Sequence, residues 1–377
     1  MAVGIICEYN PFHNGHIYHL NKVKELINKD EEIILIISGN FTQRGNISLI
    51  EKYDKAKLAL QYGVDLVIEL PFEFATQSSD FFAKGSIELL NTLKCNKLIF
   101  GSELNNIEKI KKLAQVQISN KEYDKLVKEE LDKGLNYPTA MNNALNKLSC
   151  ETITTPNDLL ALSYIKEIIK NNYNIEPISI KRTNDYNNKQ LNGGIDSATS
   201  IREAIINNID ISKSVPKETI KYIQQIDDNK IFNYLKYKII TEDNLDSYET
   251  VDEGIDNKLK KEINNCNTID ELIELIKSKR YTYNKLKRMF IHILCSYTKK
   301  ENEKKQIQYI RVLGFSNKGQ KYLNKIKKDI TLPIITNINK QNINLLKTEL
   351  KVDSIYNLIT NRKDNIYNKK PVKEKDC

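Results

Sequence analysis

The residues best placed for chemistry come first in the chain, in the stretch Gly4-Ile5-Ile6-Cys7-Glu8-Tyr9-Asn10-Pro11-Phe12-His13-Asn14-Gly15-His16. Two imidazoles, three residues apart, flank a glycine where an apolar run gives way to helical spacing (Ile17, Leu20, Val23, Ile27). Residues three apart share one helix face. A helix start offers unpaired backbone N–H groups and the positive end of a dipole, which suits phosphate. Gly15, lacking a side chain, lets a ligand approach the backbone. When a nucleophile attacks the α-phosphate of ATP, charge grows on the equatorial oxygens and on the leaving pyrophosphate. Fixed donors aimed at that charge are the main catalytic need. Two imidazole N–H groups beside a helix N-terminus meet it without a covalent intermediate. Two capping or surface histidines would look the same in isolation. His13, His16 and His19 could also suggest a metal site, but no carboxylate stands at ligand spacing on that turn, so no protein-held metal is expected.

The elements that must position these groups are legible downstream. Val3–Cys7 reads as a buried strand, and the run 33–39 as a strand covered on both faces. Residues 51–62 read as a helix, 66–70 as a strand stopped by Pro71, 79–93 as a helix, and 97–100 as a strand ending at Gly101. Helices are expected near 106–117, 120–133, 138–148 and 157–171, then a strand over 176–182 that delivers Lys181 and Arg182. Alternation of this kind predicts an α/β fold, a Rossmann-like parallel sheet with helices on both sides. Ligands bind beyond the strand C-termini. Glu8–His16, 38–44, 69–72 and 101–103 are therefore candidate walls. The polar loop 183–196 leads to Ser197-Ala198-Thr199-Ser200-Ile201-Arg202, hydroxyls and an arginine at another helix start.

The chain has 377 residues, enough for about two domains. Its six cysteines are scattered without a C-x-x-C pair, which argues against a zinc site or disulfide framework and fits a reducing cytoplasm. No signal peptide is evident, and no apolar stretch approaches the roughly 20 residues of a membrane span. The net charge of +9 is uneven: residues 1–210 carry a balance of −3 and residues 211–377 a balance of +12. A first domain over 1–210 and a mainly helical, basic C-terminal domain over 211–377 are expected, with helices near 216–227, 230–240, 256–264, 268–278, 283–298 and 303–311. The segment 242–256 reads as an acidic connection or a solvated face, Gly314–Gly319 as a break carrying lysines, 332–336 as a short strand, and 363–377 as a disordered tail. Between 280 and 328 lie 14 Lys/Arg against Glu301 and Glu303, interleaved with aromatics. That pattern suits phosphates and unpaired bases, though a solvated helical face would share it.

The His13-Asn14-Gly15-His16 pattern resembles the H-x-G-H signature of the nucleotidylyltransferase superfamily. The segment 197–202 resembles the I-S-S-T-x-I-R element that closes that domain, with Ala198 at its second serine position. With the loop Ser38-Gly39-Asn40-Phe41-Thr42-Gln43-Arg44-Gly45, the segments 65–71 and 155–158, and Ile180-Lys181-Arg182, the first 202 residues resemble the bacterial tRNA(Met) cytidine acetate ligases. That resemblance implies an enzyme that adenylates acetate with ATP and then acetylates the wobble cytidine of elongator tRNA(Met). It implies catalytic roles for His13, His16 and Arg202, and ATP binding by Cys7, Glu8, Tyr9, Asn10, Pro11, Phe12, His13, Asn14, Gly15, His16, His19, Leu20, Gly101, Asn157, Arg182, Ser200 and Arg202. Mg²⁺ would accompany the triphosphate. The anticodon arm would meet Arg280, Lys285, Lys287, Arg288, Lys318, Lys321, Lys327 and Lys328. A small-molecule adenylyltransferase of the same superfamily explains the histidines equally well, and a non-catalytic nucleotide or RNA adaptor could keep the fold.

Overall fold

The computed structural model describes residues 1–182, 191, 193–303 and 306–377. Eight strands build one sheet: β1 (Ala2–Cys7), β2 (Glu32–Ser38), β3 (Leu66–Leu70), β4 (Cys95–Ser102), β5 (Glu176–Lys181), β6 (Ile310–Phe315), β7 (Ile334–Ile335) and β8 (Val372–Lys373). Their order is β5-β4-β1-β2-β3-β6-β7, with β8 beside β6. The first five strands are mutually parallel. Their side chains are apolar on both faces because helices cover both sides, as the continuous runs required. The chain moves outward from β1 to β3, then returns to place β4 on the other flank of β1. That reversal opens a crevice beyond the ends of β1 and β4, where such sheets take ligands.

The helices are α1 (Asn14–Leu26), α2 (Lys52–Gln61), α3 (Phe72–Ala75), α4 (Ser79–Thr92), α5 (Ile107–Ser119), α6 (Tyr123–Asp132), α7 (Tyr137–Ser149) and α8 (Pro156–Lys170). They continue with α9 (Ala198–Ile206), α10 (Lys217–Ile220), α11 (Asp228–Thr241), α12 (Ile255–Glu262), α13 (Ile269–Ile276), α14 (Tyr283–Leu294), α15 (Asn317–Ile326) and α16 (Lys347–Thr360). Helices α11–α14 enclose their own core, including Leu235, Leu259, Leu272 and Phe290. Leu245, Tyr248 and Val251 anchor the expected acidic connection in that core.

The C-terminal third differs from its expectation. The segment 303–311 is not helical over its described residues: Ile310 opens β6, which pairs antiparallel with β3. Four apolar residues in six (Ile310, Val312, Leu313, Phe315) suit a buried strand, and so short a run has no period that separates strand from helix. Gly314 and Phe315 complete that strand rather than a break, and Ser316 caps α15. Of 216–227 only α10 is helical. Residues 363–377 are folded, since β8 pairs with β6. Ile307, Ile310, Val312, Tyr322 and Ile326 share one core with the N-terminal sheet, so a cut at residue 210 follows composition rather than packing. A buried charge network reinforces the join. Lys52 Nζ lies 2.7 Å from Glu69 and 2.5 Å from Asp353 of α16, and Arg311 Nη1 lies 3.2 Å from Glu69. Nearby, Glu349 accepts from Phe72 N at 2.7 Å and Tyr309 OH at 3.2 Å. Burial and the Glu69 charge push its carboxyl up to about 8.

Candidate active site

His13 is the N-cap of α1 and its Nδ1 accepts from Gly15 N at 3.0 Å. His16, one turn on, returns the contact: its Nδ1 accepts from His13 N at 3.2 Å. The rings sit 3.9 Å apart by centroid. A ring nitrogen that accepts from an amide carries no proton, so each imidazole holds its proton on Nε2. Neither Nε2 has a hydrogen-bond partner among the described residues. Burial, then Arg182 and Arg202, lowers His13 to about 3; burial and His13 lower His16. Both rings are therefore neutral Nε2–H donors at neutral pH. The reciprocal cap was invisible in the sequence because histidine is not an ordinary capping residue. Gly15 has a second role besides ligand access: a Cβ there would stand 2.7 Å from His13 Cε1.

These rings face a cavity of about 1120 Å³ at the crevice. Cys7, Glu8, Tyr9, Asn10, His13, Gly15, His16, His19, Gly101, Asn157, Arg182 and Arg202 all line it. The Nη1 of Arg202 donates to Asn10 O at 2.8 Å and Nη2 to Thr199 Oγ1 at 3.0 Å, tying α9 to the β1 end. Arg182 lies 3.5 Å from Glu103, which also accepts from Asn157 Nδ2 at 2.5 Å. Arg44, which the sequence placed on a candidate wall but gave no catalytic or ATP-binding role, lines the same cavity and interacts electrostatically with Glu8, Arg182 and Arg202. Its position on the loop after β2 was the available signal.

Five expected residues lie behind the wall. Phe12 and Leu20 are core residues packed under α1. Pro11 follows Asn10 through a cis peptide bond. Asn14 turns away, its Nδ2 donating to Gly194 O and Lys213 O. Ser200 is buried in the α9 cap, bonded to Ser197 Oγ at 3.0 Å. Within 197–200 the hydroxyl residues that line the cavity are Ser197 and Thr199 instead, because the first turn of α9 rotates position 200 inward.

The eight basic residues separate into two groups. Arg280, Lys285 and Arg288 line the cavity mouth. Arg280 bridges Leu131 O at 3.3 Å and Glu253 at 2.9 Å, and Lys285 Nζ sits 4.0 Å over the Tyr281 ring. Arg288 donates to Gln43 O at 3.2 Å and Lys287 to Asn46 Oδ1 at 2.5 Å, so α14 holds the loop after β2. The other four belong to α15 and its end. Lys318 donates to the carbonyls of Lys29 and Glu31 beside the start of β2. Lys321, Lys327 and Lys328 are exposed. This is the opposite end of the sheet from the cavity, about 20 Å away for six-residue strands, and none of the four lines it. Lysine spacing along the chain carries no information about which sheet end a helix covers.

The wall fits a triphosphate nucleotide. Three guanidiniums and two imidazole donors converge, and Asn10 Nδ2 and His19 Nε2 are buried there without hydrogen-bond partners. Among the described residues no group of three or more His, Cys, Asp or Glu could hold a metal ion, and no helix is long and apolar enough to cross a membrane.

A parallel sheet with its paired-histidine helix start at the crevice defines a nucleotidyl transferase, and residues 1–370 match the HIGH Nucleotidyl Transferase family. The tRNA(Met) cytidine acetate ligase of Clostridium tetani is 37% identical over 398 residues, covering 98% of both chains. That of Geobacillus sp. is 39% identical, covering 94% of this chain and 91% of its own. The chain belongs to the tRNA(Met) cytidine acetate ligase family. Its fold matches the crystal structure of Thermotoga maritima TmcAL (apo, form I) with a TM-score of 0.91 at 28% identity over 99% of each chain. The same protein bound with alpha-thio ATP gives a TM-score of 0.86, also at 28% identity over 99% of each chain.

Proposed function

We propose that this protein is an ATP-dependent ligase that activates acetate as acetyl-adenylate and transfers the acetyl group to N4 of the wobble cytidine of elongator tRNA(Met). The observation that carries the chemistry is the reciprocal histidine cap. It fixes two uncharged Nε2–H donors on one cavity wall, where charge grows as acetate displaces pyrophosphate from the α-phosphate. Arg202 and Thr199, at the start of α9, take the outgoing β- and γ-phosphates. Gly101, Asn157 and Arg182, at the ends of β4, α8 and β5, hold the nucleoside side. Mg²⁺ travels with the triphosphate rather than in a protein cage. The choice of acetate, cytidine and tRNA(Met) is supported by the names of relatives that align over nearly the whole chain. A basic rim at Arg280, Lys285 and Arg288 is where a polyanion can meet the cavity, which a small-molecule adenylyltransferase does not require.

Purified protein, ATP, acetate and tRNA(Met) are incubated and the tRNA nucleosides analysed by mass spectrometry. N4-acetylcytidine that appears only with both ATP and acetate is the expected result. Acetate-independent pyrophosphate release with unmodified tRNA overturns it.

A further inference from the structure

The histidine cap has a consequence for the second half of the reaction. An amine that attacks the acetyl carbonyl must shed a proton, and His13 and His16 cannot take it. Their Nδ1 atoms accept from backbone amides and their Nε2 atoms already carry hydrogen. Burial pushes the Cys7 thiol up to about 12 and raises the Tyr9 and Tyr164 phenols, so these stay protonated. His19 also lines the cavity, but burial and the Arg182 charge lower it to about 4, so its ring binds a proton weakly.

The carboxylates narrow further. Asp80 is occupied by Lys166, Tyr137 and Ser163. Asp196 takes the Ser214 hydroxyl at 2.6 Å, and Glu253 pairs with Arg280 at 2.9 Å. Asp132, the last residue of α6, lines the cavity but is exposed and has no hydrogen bond to fix it among the described residues. Glu8 remains. It follows β1 directly and lines the cavity five residues before His13. Its Oε1 is anchored, accepting from Gln43 N at 2.6 Å and Ser38 Oγ at 3.3 Å. Its Oε2 takes no hydrogen bond among the described residues and keeps open surface. One fixed oxygen and one open oxygen is the geometry of a positioned base.

We infer that Glu8 is the proton acceptor of the acetyl-transfer step. The inference rests on the adenylate-then-transfer reaction proposed above. The amine nitrogen forms a bond to the acetyl carbonyl carbon, and the C–O bond to the phosphate breaks. AMP leaves with that electron pair and needs no proton. The surplus proton on nitrogen passes to Glu8 Oε2 and then to water. Arg44, Arg202, Lys55, Cys7 and Tyr164 are the titratable or charged groups whose fields reach Glu8 from the packed elements. Lys55 is buried behind the wall, its Nζ bonded to Ser38 O and Gly39 O, and does not compete for the proton.

The test is single-turnover acetyl transfer from supplied acetyl-adenylate to tRNA(Met), with tRNA affinity measured alongside, for wild type and Glu8→Gln. Glutamine keeps an Oε1 acceptor for Gln43 and Ser38, so the loop after β2 stays bonded. The variant should transfer about 10²–10⁴-fold more slowly, with the tRNA dissociation constant unchanged. Transfer within threefold of wild type overturns the inference. A tRNA dissociation constant that rises by the factor the rate loses also overturns it, because Glu8 would then be structural. Wild-type protein unable to use acetyl-adenylate at all defeats the ligase reading itself.

Discussion

Replacing Gly15 by alanine tests whether the cap, and not only the presence of two histidines, makes the site. Alanine at this helical position should if anything favour α1, since glycine costs about 1 kcal/mol relative to alanine in a helix interior. The backbone at Gly15 is not in the left-handed region, so no strain arises there. The new Cβ, however, would lie 2.7 Å from His13 Cε1 and 2.9 Å from Nδ1, where ordinary contact needs about 3.4 Å. The ring must retreat by roughly 0.7 Å or rotate, and either motion disturbs the 3.0 Å bond from Gly15 N that fixes the tautomer. Misplacing a reacting group by about 1 Å can cost on the order of 10²-fold. Acetate-dependent exchange of labelled pyrophosphate into ATP should therefore fall about 10–10²-fold, while the melting temperature does not drop. Exchange within twofold of wild type would refute the role given to the cap. A parallel fall in melting temperature would assign the loss to folding.

Other perturbations probe separate parts. His16→Ala should lower the same exchange on the order of 10²–10³-fold, with the tRNA dissociation constant unmoved in a filter-binding assay. Lys285→Ala should weaken tRNA binding and reduce its salt slope by about one. A Lys327→Glu, Lys328→Glu double variant should leave both unchanged, because those lysines stand at the far end of the sheet. Glu349 supplies a pH dependence of stability. Its folded carboxyl titrates near 8 against about 4.3 when unfolded. Between those values the native state holds more protons, so its contribution is full below about 4 and is lost as pH rises through 8. Thermal melting from pH 5 to 9 should show that decline in wild type and a flatter profile in Glu349→Gln; identical slopes would count against it.

The βα alternation of residues 1–182 was legible because each segment carries its own period, apolar on both faces for strands and one-sided for helices. That local reading placed β1–β5 within two residues and set Cys7–His16, Gly101, Arg182 and Arg202 at strand ends or helix starts, where a parallel sheet gathers its ligand. Histidine spacing likewise indicated donors. The sequence could not say how those donors are oriented, since the cap depends on two amide bonds between neighbours. It also could not place the basic residues. Ile310–Phe315 carries no helical or alternating signature, and its pairing with β3 spans some 240 residues of chain. That pairing turns α15 to the far end of the sheet, and the packing of α14 on the loop after β2 brings Arg288 and Lys285 to the cavity. Local chemistry thus fixed which groups could act. Long-range strand pairing and the rotation of the first α9 turn, which chose Thr199 over Ser200, decided which of them meet, because proximity across a sheet is set by register and not by sequence distance.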